Sequence, residues 1–148
     1  MLNTYTQIHI HGVFVVKNSL SLINEQWQEE MYKNIGTIIK NNGNELLAIG
    51  GMPDHIHFLM AMRPTKSIAY TMQDVKSGSS MWVNQNDYAM GKFQWQAGFC
   101  AFSHGKSQLR GVIQYINEQK ELHLKHTFQE EYKELIRLFG VEYDESAF

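Results

Sequence analysis

The chain has a single cysteine, Cys100, among 148 residues. That excludes an intramolecular disulfide, excludes a cysteine-rich zinc site, and fits a reducing, cytoplasmic setting. No apolar run approaches the roughly 20 residues that span a bilayer, so no membrane partner is expected. The first residues, Met1-Leu2-Asn3-Thr4-Tyr5-Thr6-Gln7, lack the basic and apolar regions of a signal peptide. A basic excess is missing as well: the formal net charge is −2, which argues against a wholesale nucleic-acid coat. The charge is unevenly spread, since residues 127–148 hold six acids and two bases while residues 1–126 carry a small positive balance. Nucleic-acid contacts, if made, are local, with Lys76, Lys106, Arg110 and Lys120 as candidates, and Lys66, Lys92 and Lys125 behind them. The bland alternative for each is a solvated surface lysine or arginine.

What is present is an ordinary globular composition, 43% hydrophobic and 19% charged, at a length that favours one domain. Its parts divide into a core at 1–103, a tyrosine-bearing helix at 104–126, and an acidic C-terminal helix and tail at 127–148. Residues 4–16 alternate, with Thr6, Ile8, Ile10 and Phe14 on one face and Gln7, His9 and His11 on the other, predicting a strand. Ser19 or Ser21 is positioned to cap a helix reaching about Asn41, with Trp27, Met31, Ile35 and Ile39 in four-residue steps and Gly43 as its stop. Residues 46–49 predict a short strand, 50–54 a turn, and 55–62 a second strand completing a hairpin. Pro64 and Thr65 open a helix carrying Ile68, Met72, Val75, Ser79 and Trp82. Residues 93–103 alternate again and predict a fourth strand. After a break at His104-Gly105-Lys106-Ser107, with Ser107 as N-cap, one helix is expected over about 108–123. Thr127-Phe128-Gln129-Glu130 has the form of a capping box and starts a last helix with Phe128, Tyr132, Leu135 and Phe139. The order β-α-β-β-α-β plus helices predicts an α+β fold, the ferredoxin-like split βαβ antiparallel sheet with C-terminal helices carrying the candidate nucleophile. That fold serves many functions, so function must come from a site.

The densest signal is Asp54-His55-Ile56-His57. Successive strand residues alternate faces, so both imidazoles project from one side with their roots about 7 Å apart, as two ligands of one metal ion would. A half-exposed polar strand face is the competing reading. Further on, Tyr115 and Gln119 stand at i and i+4 and share a helical face, placing a phenol and an amide together. If that face covers the histidines, a metal with open positions and a tyrosine nucleophile would suit phosphoryl transfer to the protein.

These motifs resemble the single-tyrosine HUH transposases of the IS200/IS605 insertion-sequence family. The resemblance runs through Tyr5-Thr6-Gln7-Ile8-His9-Ile10-His11, Gly51-Met52-Pro53-Asp54-His55-Ile56-His57, Lys76-Ser77-Gly78-Ser79-Ser80, Phe93-Gln94-Trp95-Gln96-Ala97-Gly98-Phe99 with Phe102-Ser103, and Tyr115-Ile116-Asn117-Glu118-Gln119. It implies that His55, His57 and Gln119 are metal ligands and that Tyr115 is the nucleophile. Tyr115 would form a 5′-phosphotyrosine with single-stranded DNA at insertion-sequence ends marked by hairpins. It further implies Mg²⁺, with Mn²⁺ as the alternative, and a homodimer in which the tyrosine is often supplied in trans. A single tyrosine on this helix disfavours the two-tyrosine relatives that share the histidine pair. Gly105 and Gly111 are candidates for a mobile or kinked tyrosine helix, with a capping or packing role the equal alternative.

Other residues are weaker candidates. Asp54 is placed either to orient a ligand histidine through its far ring nitrogen or simply to make the turn. His9 and His11 repeat the two-residue spacing on the first strand, where they are placed to line the same sheet face and touch substrate. His123 and His126 read as helix-end cations, and Trp95 and Phe99 as core. The functional alternatives are a domesticated, catalytically silent hairpin-binding protein and a small-ligand regulatory domain.

Overall fold

The computed structural model describes residues 3–18 and 20–138. Four strands, β1 (Ile8–Val15), β2 (Glu45–Met52), β3 (His55–Met62) and β4 (Cys100–His104), form one sheet in the order β2-β3-β1-β4. Neighbouring strands are antiparallel throughout, which is the expected α+β arrangement. Helices α1 (Glu25–Asn41) and α2 (Ile68–Gln85) are the two crossovers. Beyond β4 come a 3₁₀ turn (Lys106–Gln108), α3 (Leu109–Asn117), the one-turn α4 (Gln119–Leu122) and α5 (Phe128–Leu138). Among the described residues no helix is long and apolar enough to cross a membrane.

Period-two alternation divides the sheet into a dry face and a histidine face. Ile10 and Phe14 of β1 and Ile56, Phe58 and Met60 of β3 pack against Met31, Ile35 and Ile39 of α1 and Met72, Val75 and Val83 of α2. The other face carries His11, Val13, His55, His57 and Leu59. It is covered by α3 to α5 through two smaller clusters centred on Leu59–Ile116 and on Val13–Leu135. A bulge between Leu46 and Ala48 shifts the β2 register by one residue. The face assignment of β2 is thereby reset just before it meets the histidines.

Several local expectations are corrected. The first strand begins at Ile8 rather than Thr4. Helix α1 is capped by Asn24, whose side chain accepts from Gln26 N at 2.8 Å. Ser21 is instead buried and donates to the Met90 carbonyl, and Ser19 lies outside the described residues. The helix ends at Asn41, followed by Gly43 at φ +83°, a left-handed conformation suited to glycine. Strand β2 continues through Gly50 and Gly51 to Met52, so only Pro53 and Asp54 turn the hairpin. Helix α2 starts three residues after Thr65, capped by Ser67, which accepts from Tyr70 N at 3.0 Å.

The fourth strand is only five residues, not the eleven of 93–103. The alternation there reflects burial without a continuous ladder: Phe93 and Trp95 enter the dry core, and Trp95 makes one isolated bridge with Val16. Gly98 at φ +80° interrupts any strand, and Phe99 is 41% exposed rather than core. The long helix over 108–123 is divided at Glu118 (φ −102°, ψ 23°) into α3 and α4, and no glycine sits at the break. Ser107 lies inside the 3₁₀ turn instead of capping it. Thr127 does cap α5, accepting from Glu130 N at 3.2 Å, whereas Phe139 lies outside the described residues.

Candidate active site

Strand β3 places His55 and His57 side by side on the histidine face, both fully buried. Helix α3 reaches that face because Gly50 of β2 has no side chain: a Cβ there would lie 2.4 Å from the Ile116 carbonyl oxygen. The close approach seats Ile116 on Ala48 and Leu59 and turns Tyr115 toward His57, with ring centroids 5.5 Å apart. One turn later, beyond the break at Glu118, Gln119 is 1% exposed and its Oε1 lies 3.1 Å from His55 Nε2. The motif residues His55, His57, Tyr115 and Gln119 are therefore brought together within one chain.

The far ring nitrogens are tied down. His55 Nδ1 lies 2.7 Å from Asp54 Oδ1, and His57 Nδ1 lies 2.8 Å from His11 Nε2. His11 pairs with Leu59 across the β1–β3 ladder, so it reaches His57 diagonally. With each Nδ1 engaged outward, both Nε2 atoms face inward, as outer-shell partners arrange in metal sites.

Inside that space stands a residue absent from the sequence reading. Glu131 of α5, 6% exposed, puts Oε1 at 3.1 Å from His57 Nε2, 3.4 Å from His55 Nε2 and 3.3 Å from His123 Nε2. Its Oε2 accepts from Gln119 Nε2 at 2.9 Å and from the Tyr115 hydroxyl. Phe128, one turn earlier, stacks on the His55 ring with centroids 4.0 Å apart. Glu131 had a sequence signal: it is a charged residue on the side of α5 that carries Phe128 and Leu135, where an amphipathic helix is ordinarily apolar. His123, expected to be a helix-end cation, is turned inward to Glu131, whereas His126 does meet an exposed acid, Glu130, at 3.2 Å.

Burial works against the charge of Glu131, but bonds from His55 and His57 hold its carboxyl well below the usual carboxylate range. Burial also opposes a charged His55, yet Asp54 and Glu131 more than offset it and raise the ring to about 9. His57 is pushed down, chiefly by burial. His11 is lowered to about 3 by burial and by the neighbouring His57 and His104. Tyr115 is pushed up by burial and by the Glu131 carboxylate beside its hydroxyl.

Imidazole nitrogens converging on one carboxylate oxygen each need an N–H or a shared cation between them and it. The donor atoms of His55, His57 and Glu131 all lie within 4.8 Å of one another, so the triad could hold a metal ion. Glu131 Oε1 lies 3.1 and 3.4 Å from His57 and His55 Nε2, and Gln119 Oε1 lies 3.1 Å from His55 Nε2, so the four side chains present their donors to one small space. Nitrogen and oxygen donors without thiolate suit Mn²⁺ or Mg²⁺ better than a thiophilic metal.

The charged surface candidates are elsewhere. Lys76 donates to the carbonyls of Gln96 (2.8 Å) and Gly98, holding the loop before β4. Lys120 pairs with Glu25 at 3.2 Å, and Lys106 and Arg110 are exposed near the start of α3. None of the four touches the histidine cluster.

Known proteins share this fold. A curated relative, the ISDra2 transposase TnpA of Deinococcus radiodurans, is 22% identical over 120 residues, covering 78% of this chain and 86% of that protein. A crystal structure from Deinococcus radiodurans R1, assigned as a transposase, superposes with a TM-score of 0.63 at 19% identity, over 80% of this chain and 95% of the other. A REP-associated tyrosine transposase bound to a REP hairpin superposes with a TM-score of 0.62 at 13% identity, over 83% and 73% of the two chains. At these identities the superpositions establish a shared fold. The family model for IS200-like transposases matches residues 4–119, which span the whole sheet and α3, and the chain belongs to that family of single-tyrosine transposases.

Proposed function

We propose that the protein cuts and rejoins single-stranded DNA through a covalent link to Tyr115, assisted by a divalent metal. The observation that carries this reading is the convergence of the Tyr115 hydroxyl, the Gln119 amide and the two strand imidazoles on one buried point. Tyr115 Oη attacks the scissile phosphorus, the bond from phosphorus to the 3′ oxygen breaks, and the strand leaves with a free 3′-hydroxyl. The 5′ side stays on the protein as a phosphotyrosine, and attack by another 3′-hydroxyl reverses the step and rejoins DNA without an external energy source.

His55, His57 and Gln119 would hold the ion. When bound there, a divalent cation would supply polarisation of the phosphoryl group and offset charge on the leaving oxygen. Asp54 and His11 keep the two rings turned so that Nε2 faces inward. Tyr115 faces the histidines of its own chain, so the first cleavage is assigned to a cis arrangement; assembly as a homodimer would place two such sites in one particle. Binding of hairpin-ended DNA is supported by the relative captured on a REP hairpin. Lys106, Arg110 and Lys120 are the residues proposed to meet its phosphates, and Lys76 would act through the loop it holds.

The test is a denaturing gel of protein incubated with Mg²⁺ or Mn²⁺ and labelled single-stranded DNA from the element's own ends. Label should travel with the wild type and not with Tyr115→Phe. An adduct retained by Tyr115→Phe removes the assigned nucleophile. DNA binding with no adduct under any metal favours the silent hairpin binder.

A further inference from the structure

We propose that Glu131 is the positioning residue of the nucleophile: one carboxylate oxygen orients Tyr115 and Gln119 together, while the other keys both to the histidine pair. The inference rests on the transposase reading above and makes α5, which lies beyond the matched span of 4–119, a working part of the site.

Three observations support it. First, the carboxylate is buried at 6% exposure, a placement that is costly unless every lone pair is used. Here Oε1 meets three imidazole nitrogens and Oε2 meets the tyrosine hydroxyl and the Gln119 amide nitrogen. Second, the amide of Gln119 has two ends, and only one suits a cation. Committing Nε2 to Glu131 at 2.9 Å leaves Oε1 facing His55 Nε2, the orientation a metal ligand needs. Third, the Tyr115 hydroxyl has one proton to donate, and giving it to Oε2 sets the direction of the phenol relative to His57. Helix α5 is itself held in place by Phe128 stacked on His55 and by Leu135 in the cluster with Val13 and Phe102. The carboxylate is thus presented from a seated helix, not from a mobile tail.

Glu131→Gln preserves size but removes the negative charge and leaves one oxygen in place of two, so the imidazole cluster and the Tyr115/Gln119 pair no longer share one carboxylate. Glu131→Asp keeps the charge and draws it back by one methylene, serving as the second variant. Single-turnover adduct formation with Mn²⁺ is followed against DNA concentration, with Mn²⁺ affinity measured by electron paramagnetic resonance. Both variants should lower the rate at saturating DNA by about 10- to 100-fold and weaken Mn²⁺ binding, with the half-saturating DNA concentration unchanged. A merely structural glutamate would move thermal stability and DNA affinity instead. Wild-type rates in both variants overturn the proposal, and so do faster rates, which would make the carboxylate an obstruction. Absence of any adduct from the wild type overturns the transposase reading and this role with it; a wild-type adduct with unaffected variants removes only the role of Glu131.

Discussion

The two faces of the sheet are made by the same strands and obey different rules. On the dry face, Phe14, Ile56, Phe58 and Met60 are wholly buried among the apolar side chains of α1 and α2. On the other face, one residue along each strand, His11, His55 and His57 are equally buried, at 2%, 0% and 0% exposure, but among polar partners. Burial alone therefore does not separate core from site. The difference is how each buried group is compensated: by area removed from water on one side, and by paired hydrogen bonds and charge on the other.

Mutations sharpen that contrast, beginning with the dry face. Phe58→Ala removes a fully buried ring from the centre of the main core and should destabilise by about 3–5 kcal/mol in a denaturant titration. A loss below 1 kcal/mol would show that the two faces are not so different in what they contribute.

On the histidine face, His11→Phe keeps a ring of similar shape and leaves His57 Nδ1 without its partner. Mn²⁺ affinity should fall by about 10- to 100-fold, with a smaller change in unfolding free energy than Phe58→Ala produces. Unchanged Mn²⁺ affinity would reduce His11 to packing.

Acid separates the faces as well. His11, lowered to about 3, stays neutral in the folded metal-free protein while its unfolded form gains a proton below about 6.5, and His57 is shifted in the same direction. The unfolded state then binds more protons, so stability falls as pH drops from about 6.5 toward 4.5. His55 has the opposite sign: raised to about 9, it contributes fully below about 6.5 and loses that contribution as pH rises toward 9. His11→Phe should flatten the acid limb measured by thermal unfolding, and an unaltered limb would assign it to other groups.

The smallest expected effect is Ser67→Ala, which removes the cap of α2 on the dry side. It should cost about 1 kcal/mol and leave adduct formation unchanged. Altered adduct formation would mean that the faces are coupled through the sheet.

Much of this was legible because it is periodic. Alternation in β1 and β3 assigned the faces, including the His55/His57 pair, and four-residue steps located α1. The i, i+4 relation of Tyr115 and Gln119 survives the unexpected break at Glu118, since Gln119 Nε2 still lies 3.4 Å from the Tyr115 carbonyl. The fourth strand is shorter than its alternation suggests because Phe93 and Trp95 alternate for burial rather than for pairing. The role of His11 is not legible locally, because its partner depends on the β1–β3 register.

By itself, then, the sequence determined the order of elements, the dry face and the local motifs, since each depends on residues a few positions apart. Only the tertiary structure decided that His11, His123 and Glu131 join them. Those three come from β1, the end of α4 and α5, separated from the pair by 44 to 76 positions, and they meet it through strand register, the cleared space at Gly50 and the seating of α5. A buried carboxylate can be suspected from an apolar helix stripe, but its partners are chosen by packing in three dimensions, and those partners turn a polar oddity into part of a site.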